Sequence, residues 1–142
     1  MSLKIIDSFD NEYSFLSNFY ECPVEYDGIV YQSSEAAFQA QKTLNIEERI
    51  VLFANATPSQ SKKLGRKTKL RDDWDNIKVN LMKEIVLAKF TQNSDLKEKL
   101  LNTGTAELIE GNWWKDTFWG VCNGKGLNNL GRILMEVRDE LK

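Results

Sequence analysis

Tyr31-Gln32-Ser33-Ser34-Glu35-Ala36-Ala37-Phe38-Gln39-Ala40-Gln41-Lys42 is the stretch around which the rest of this chain is organised. Ser33 or Ser34 is placed to cap the free N–H groups of a first helical turn. At about 100° per residue, Glu35, Gln39 and Lys42 fall on one stripe, with Phe38 at its edge. Ala36, Ala37, Ala40 and Leu44 cover the other side. Small residues there suit close packing, while the polar stripe mixes an acid, an amide, an amine and an aromatic ring. Glu35 and Lys42 stand two turns apart, roughly 10 Å along the axis, beyond the reach of i,i+4 pairing. A small substrate fits that gap. The alternative is a solvated helix face with scattered polar residues, and the rest of the chain has to separate the two.

With 142 residues the chain is long enough for one domain with a real core, and a single domain over residues 1–142 is expected. A net charge of −2 gives no global attraction to nucleic acid or membrane. No apolar run approaches the ~20 residues of a membrane-spanning helix, and Met1-Ser2-Leu3-Lys4 lacks a signal peptide's apolar core. A cytoplasmic protein without a membrane partner is expected. The absence of histidine removes Ser-His-Asp and Cys-His catalysis and a histidine general base. Cys22 and Cys122, the two cysteines, have no zinc-type spacing and read as reduced, buried thiols. No metal is expected and no cofactor is assigned; any catalysis falls to carboxylates, lysine, hydroxyls, amides or a bound cofactor.

In chain order, Leu3–Phe9 is β-prone. Phe15-Leu16-Ser17-Asn18-Phe19-Tyr20 reads as a loop held by buried rings, with Asn18 either reaching into a pocket or closing an Asx-turn on its own backbone. Asp27-Gly28 between two β-prone runs predicts a hairpin that feeds straight into the Glu35–Lys42 helix. A second helix is predicted over 46–55, and Thr57-Pro58 opens a third, with Gly65 expected to end it. Six of the ten residues from Lys62 to Arg71 are basic, either a local phosphate-meeting patch or a solvated segment. Asp72 or Asp73 then caps a long helix to about Phe90, its apolar residues repeating at helical period. Asp95–Leu101 is a further helix ended by Thr103-Gly104. Ala106–Glu110 and Thr117–Val121 read as two strands around a Gly111-Asn112 turn, and a last helix covers 127–141. The class is α+β, a compact helix-rich domain of about six helices around a small, mostly antiparallel sheet.

Trp113, Trp114, Phe118 and Trp119 lie within seven residues. Neighbouring strand residues alternate sides, so these rings cannot all enter one core. Some are expected to line a cavity, where a flat face suits a heterocyclic base; an aromatic minicore is the alternative. Gly124 and Gly126 permit close backbone approach, although a lone Gly-x-Gly is weak evidence for phosphate binding.

Taken together the pattern resembles the YbiA-like family, also called NADAR, of ADP-ribose-linked N-glycosidases. The resemblance runs through Phe15–Tyr20, Asp27-Gly28, Tyr31, Ser34–Lys42, Asp73-Trp74, Lys89–Asn93, Leu100–Gly104 and Glu107–Glu110. It continues with Asp116, Trp119-Gly120, Gly126, Asn128, Leu130-Gly131 and Leu134–Arg138, and so covers nearly the whole chain. It implies cleavage of an N-glycosidic bond of ribose. The substrate would be a small ribosylated molecule, an early riboflavin-pathway intermediate, or an ADP-ribosylated guanine or related compound, with ADP-ribosylated nucleic acid also in range. Glu35 and Lys42 are the implied catalytic pair. Asn18, Phe19, Phe38, Gln39, Asp116, Trp119, Gly120 and Asn128 are the implied substrate-binding residues. Many relatives carry histidine directly after the motif glutamate, where this chain has Ala36, so no role of that histidine transfers. A non-catalytic module that reads ADP-ribose or a nucleotide with the same pocket is the competing function.

Overall fold

The computed structural model describes residues 4–142; Leu3, at the start of the expected first β-prone run, lies outside them. The helices and strands gather into two compact units, residues 18–93 and the segments before and after them.

Residues 18–93 are built on a hairpin. β2 (Glu21–Tyr26) pairs antiparallel with β3 (Ile29–Ser33), following a first strand β1 (Ile5–Ile6) in the other unit. Asp27 and Gly28 both take positive φ, +52° and +82°, as the two-residue turn with the twist of a hairpin requires. β3 runs directly into α1 (Ser34–Ala40), whose N-cap is Ser33: its hydroxyl accepts from the Ala36 N–H at 3.1 Å. The chain continues through α2 (Ile46–Glu48), a π-helical turn (Arg49–Phe53), α3 (Pro58–Lys67) and α4 (Trp74–Gln92). Thr57 and Gln60 close a capping box at the start of α3, with Pro58 where its missing N–H costs nothing.

Packing in this unit centres on α1. It touches β2, β3, the π-helical turn, α3 and α4, and all seven of its residues are buried. Ala36, Ala37 and Ala40 are fully covered, so the small side chains let neighbours approach from several directions, as expected of them. Leu44 does not join them and is 66% exposed, because the chain has left the helix by then. Gly65 does not end α3. The helix runs on to Lys67, and Gly65, like Ser61 one turn earlier, is buried because α3 presses on α1. Burial of Tyr31, Phe53, Met82, Ile85, Val86 and Phe90 completes the core of this unit.

The other unit joins residues up to Ser17 with those from Ser94 onward. β1 pairs in parallel with β4 (Glu107–Leu108), and a 3-10 helix over Asn11–Leu16 buries Phe15 and Leu16. α5 (Ser94–Asn102) buries Leu96 and Leu100. α6 (Asn129–Glu140) turns Leu130, Ile133, Leu134 and Val137 inward and packs on β4. The α+β class and helix-rich character are as read from the sequence, with one antiparallel and one parallel strand pair. The expected strand at Thr117–Val121 does not form. Those residues are a loop with a single bridge, Gly111 to Val121, because Asp116 takes the N–H groups of Phe118 and Trp119 and the N–H groups of residues 127–130 take the carbonyls of 117–120, instead of a neighbouring strand. Cys22 is half-buried and Cys122 buried, and the two form no disulfide.

Candidate active site

Glu35 stands in the first turn of α1, where a carboxylate meets the positive end of the helix dipole. Its backbone N–H donates to the Asn18 carbonyl at 3.1 Å. The Asn18 side chain locks to the same turn: its Oδ1 accepts from the Ser34 hydroxyl at 2.8 Å, while its amide rests 3.4 Å from the Met82 sulfur. Asn18 is therefore a buried brace across the entrance to α1, its side chain bonded to another segment and not to an Asx-turn of its own. Of its neighbours, Phe19 stays 41% exposed, with the Lys62 ammonium 5.8 Å from its ring centroid.

The polar stripe of α1 is not a solvated face. Glu35 is 9% exposed and Gln39 7%, and the Gln39 amide Nε2 donates to Glu35 Oε2 at 2.7 Å. Burying a carboxylate is costly unless hydrogen bonds compensate, so this contact is part of what lets Glu35 sit inside. Lys42, half-buried at the far end of the stripe, has its ammonium 5.8 Å from the Trp74 ring centroid. Burial pulls its pKa below the ordinary lysine value. Glu35 opposes that shift, while the charges of Arg66 and Lys78 add to it. Phe38, at the edge of the stripe, is buried. It is 4% exposed and tilts against Trp74 with centroids 5.0 Å apart, a core pair that also forms the wall beside Lys42.

Two further neighbours of the site escaped the sequence reading. Trp74 is one. The other is Gly65: a Cβ built there would overlap Gln39 Oε1 and lie 3.3 Å from Lys42 Nζ. The available signal was the pair of small residues Ser61 and Gly65 four apart on one helix face. A cavity of about 520 Å³ opens elsewhere in the unit, lined among others by Tyr26, Asp27, Gln41, Leu44, Arg49 and Arg71. It touches none of Glu35, Gln39 and Lys42. Its arginines are already paired, Arg49 with Asp27 at 3.1 Å and Arg71 with Asp73 at 2.7 Å.

Asp116, Trp119, Gly120 and Asn128 belong to the other unit and form a cluster of their own. Asp116 Oδ1 accepts from the backbone N–H groups of Phe118 and Trp119 at 3.1 and 2.9 Å, and Asn112 clamps the Asp116 backbone from both sides. Asn128, at φ +52°, accepts from the Glu110 N–H and donates to the Leu108 carbonyl, each at 2.9 Å. Gly120 lies so close to Glu110 that a Cβ would overlap it. Trp119 meets Phe118 edge to face at 4.8 Å. In the same loop Trp113 is 84% exposed, so the rings divide between packing and solvent.

Among the described residues no helix is long and apolar enough to cross a membrane, and no group of three or more His, Cys, Asp or Glu side chains could hold a metal ion.

A small α+β protein with a buried acid and amide on one helix and a half-buried amine just past its end is the class these observations define. The chain belongs to the NADAR domain family, whose model matches residues 6–142. It is 42% identical to a riboflavin biosynthesis protein of Vibrio vulnificus, over 94% of this chain but 37% of that one. It is 36% identical to the N-glycosidase YbiA of Escherichia coli K12, over 94% and 85% of the two chains. An N-glycosidase of Nostoc punctiforme is 38% identical over 92% and 86%. The NMR structure of E. coli YbiA superposes with a TM-score of 0.86 at 35% identity, covering 99% of this chain and 87% of that one.

Proposed function

We propose that this protein is an N-glycosidase that hydrolyses the C1–N bond between ribose and a base, with Glu35 and Lys42 as the reacting pair. The observation that carries this reading is the buried edge of α1. A hydrogen-bonded carboxylate stands in its first turn, and an amine with a lowered pKa, on which the Glu35 charge acts, lies just past its end. The names of the relatives favour the reaction class.

Breaking a C1–N bond passes through an oxocarbenium-like state with positive charge on the ring. A preorganised carboxylate in a dry setting stabilises that charge far more than it would in water, and this is the role of Glu35. Lys42 in its neutral form carries a lone pair. It attacks C1 as the bond to the base breaks, and the base leaves with the electron pair and takes up a proton. The sugar ring opens to an iminium on Nζ, and water adds to C1, frees the amine and returns ribose. Lowering the pKa enlarges the neutral fraction that can do this.

The proposed substrates are a ribosylated pyrimidine of the riboflavin route or an ADP-ribosylated guanine, free or in nucleic acid. Incubating the protein with each and following free base by chromatography tests the reading. Release of base from one of them is expected. Tight binding with no release would make the protein a binding module instead.

A further inference from the structure

We propose that Gln39 is a positioning residue that couples Glu35 to Lys42: Nε2 holds the carboxylate, and Oε1 accepts an N–H from the lysine amine. This rests on the reading of Glu35 and Lys42 as the reacting pair.

Three observations carry it. The amide orientation is dictated by Glu35, because the reverse orientation would aim Oε1 at a carboxylate oxygen 2.7 Å away. Oε1 is then left buried with no hydrogen-bond partner among the described residues, a state that is costly for a buried acceptor. And Oε1 shares one small space with Lys42 Nζ. Both crowd the position where a Cβ of Gly65 would stand, overlapped by the first and 3.3 Å from the second.

Gln39 and Lys42 are three residues apart on one face of the chain, the spacing at which helical side chains meet. Lysine has rotatable N–H donors on a flexible stem. A neutral amine that gives one N–H to Oε1 keeps its lone pair for C1, so the amide aims the nucleophile as well as the acid. Lys42 lies just past the end of α1, and Gln39 stands between it and Glu35 in the chain. Gly65 belongs to the device, since any side chain there would displace the amide.

The test is the titration of Lys42 in protein labelled with ¹³C at the lysine ε-carbons, the signal assigned by its loss in Lys42→Arg. An acceptor favours the charged amine, so Gln39→Met, similar in shape but unable to accept, is expected to lower the Lys42 midpoint. Gln39→Glu, which puts a carboxylate in its place, is expected to raise it. Arg66 on α3 and Lys78 on α4, which also act on Lys42, are unchanged in both variants, and repeating both in a Glu35→Gln background removes the carboxylate that Gln39 touches. With substrate, Gln39→Met is expected to lose about 100-fold in kcat, with KM changed much less, as for a misplaced reacting group. Midpoints equal to wild type would overturn the proposal, and if one variant fails to fold the other decides. The titration needs no activity, so a wild-type protein that releases no base would remove the glycosidase reading while leaving this coupling to be decided by the midpoints.

Discussion

Gln39 Nε2 and Glu35 Oε2 are 2.7 Å apart on the buried edge of α1. That contact ties the first catalytic candidate to the helix whose end leads into Lys42, the second. Replacing Glu35 by glutamine keeps the size of the side chain and removes the charge. Glu35→Gln is expected to fold normally and to lose about 100- to 1000-fold in turnover, the usual cost of deleting one preorganised electrostatic group. Initial rates of base release measure it, and near-normal turnover would remove Glu35 from the mechanism.

Gly65→Ala sets two effects against each other. Alanine favours an α-helix over glycine by about 1 kcal/mol. The new methyl, however, would overlap Gln39 Oε1, and overpacking costs about 1–3 kcal/mol. The balance is a protein slightly less stable than wild type, with a large loss of kcat. A thermal melt beside a rate measurement separates the two quantities. An unchanged kcat would show that the Gly65 contact does not position the site.

Lys89 on α4 is 1% exposed, between the rings of Tyr20 and Phe90, and burial pulls its pKa down to about 8 against Cys22's opposing influence. The unfolded chain binds that proton up to about pH 10.4, so between the two values it holds more protons than the folded one. Stability therefore rises with pH across this window through Lys89. Below pH 8 both states are protonated, and the full cost of the buried charge, on the order of 3 kcal/mol, is present. Lys42, also lowered, adds to the same slope. Denaturant midpoints from pH 7.5 to 9.5 are expected to increase, with a shallower rise in Lys89→Met. A flat profile in the wild type would contradict the assignment.

Asp116 holds its loop by accepting from two backbone N–H groups. Asp116→Ala frees both, at about 1–3 kcal/mol for a charged hydrogen-bonding group. Faster hydrogen exchange at Phe118 and Trp119 is expected. If Trp119 contacts the substrate, KM rises with it. Exchange rates equal to wild type would mean that the loop is held by Asn112 and Asn128 alone.

Much of this was legible in the sequence where the cause is local. Asp27-Gly28 demands positive φ and a tight turn, Ser33 offers a cap, and Thr57-Pro58 opens α3, each within four residues. The polar stripe of Glu35, Gln39 and Lys42 followed from helical spacing, while the catalytic role proposed for it came from the family resemblance. What escaped depends on partners distant in sequence. Gly65 reads as a helix stop until α1 is packed against it. Thr117–Val121 reads as the returning strand after a Gly111-Asn112 turn, yet Asp116 takes two of its N–H groups and residues 127–130 take its carbonyls. Phe38 lies at the edge of the polar stripe by angle, but Trp74, thirty-six positions away, draws its ring into the core. The burial of Glu35 and Gln39 is tertiary too, since five elements surround α1.

The most direct test of the central claim is the mass of the protein after borohydride is added during turnover. A nucleophilic Lys42 passes through an iminium to the sugar, which borohydride reduces to a stable amine. The account predicts a substrate-dependent mass increase that maps to the peptide containing Lys42 and is absent from Lys42→Arg, whose guanidinium stays charged and cannot attack. A trapped sugar on a different residue, with Lys42→Arg releasing base at the wild-type rate, would contradict it.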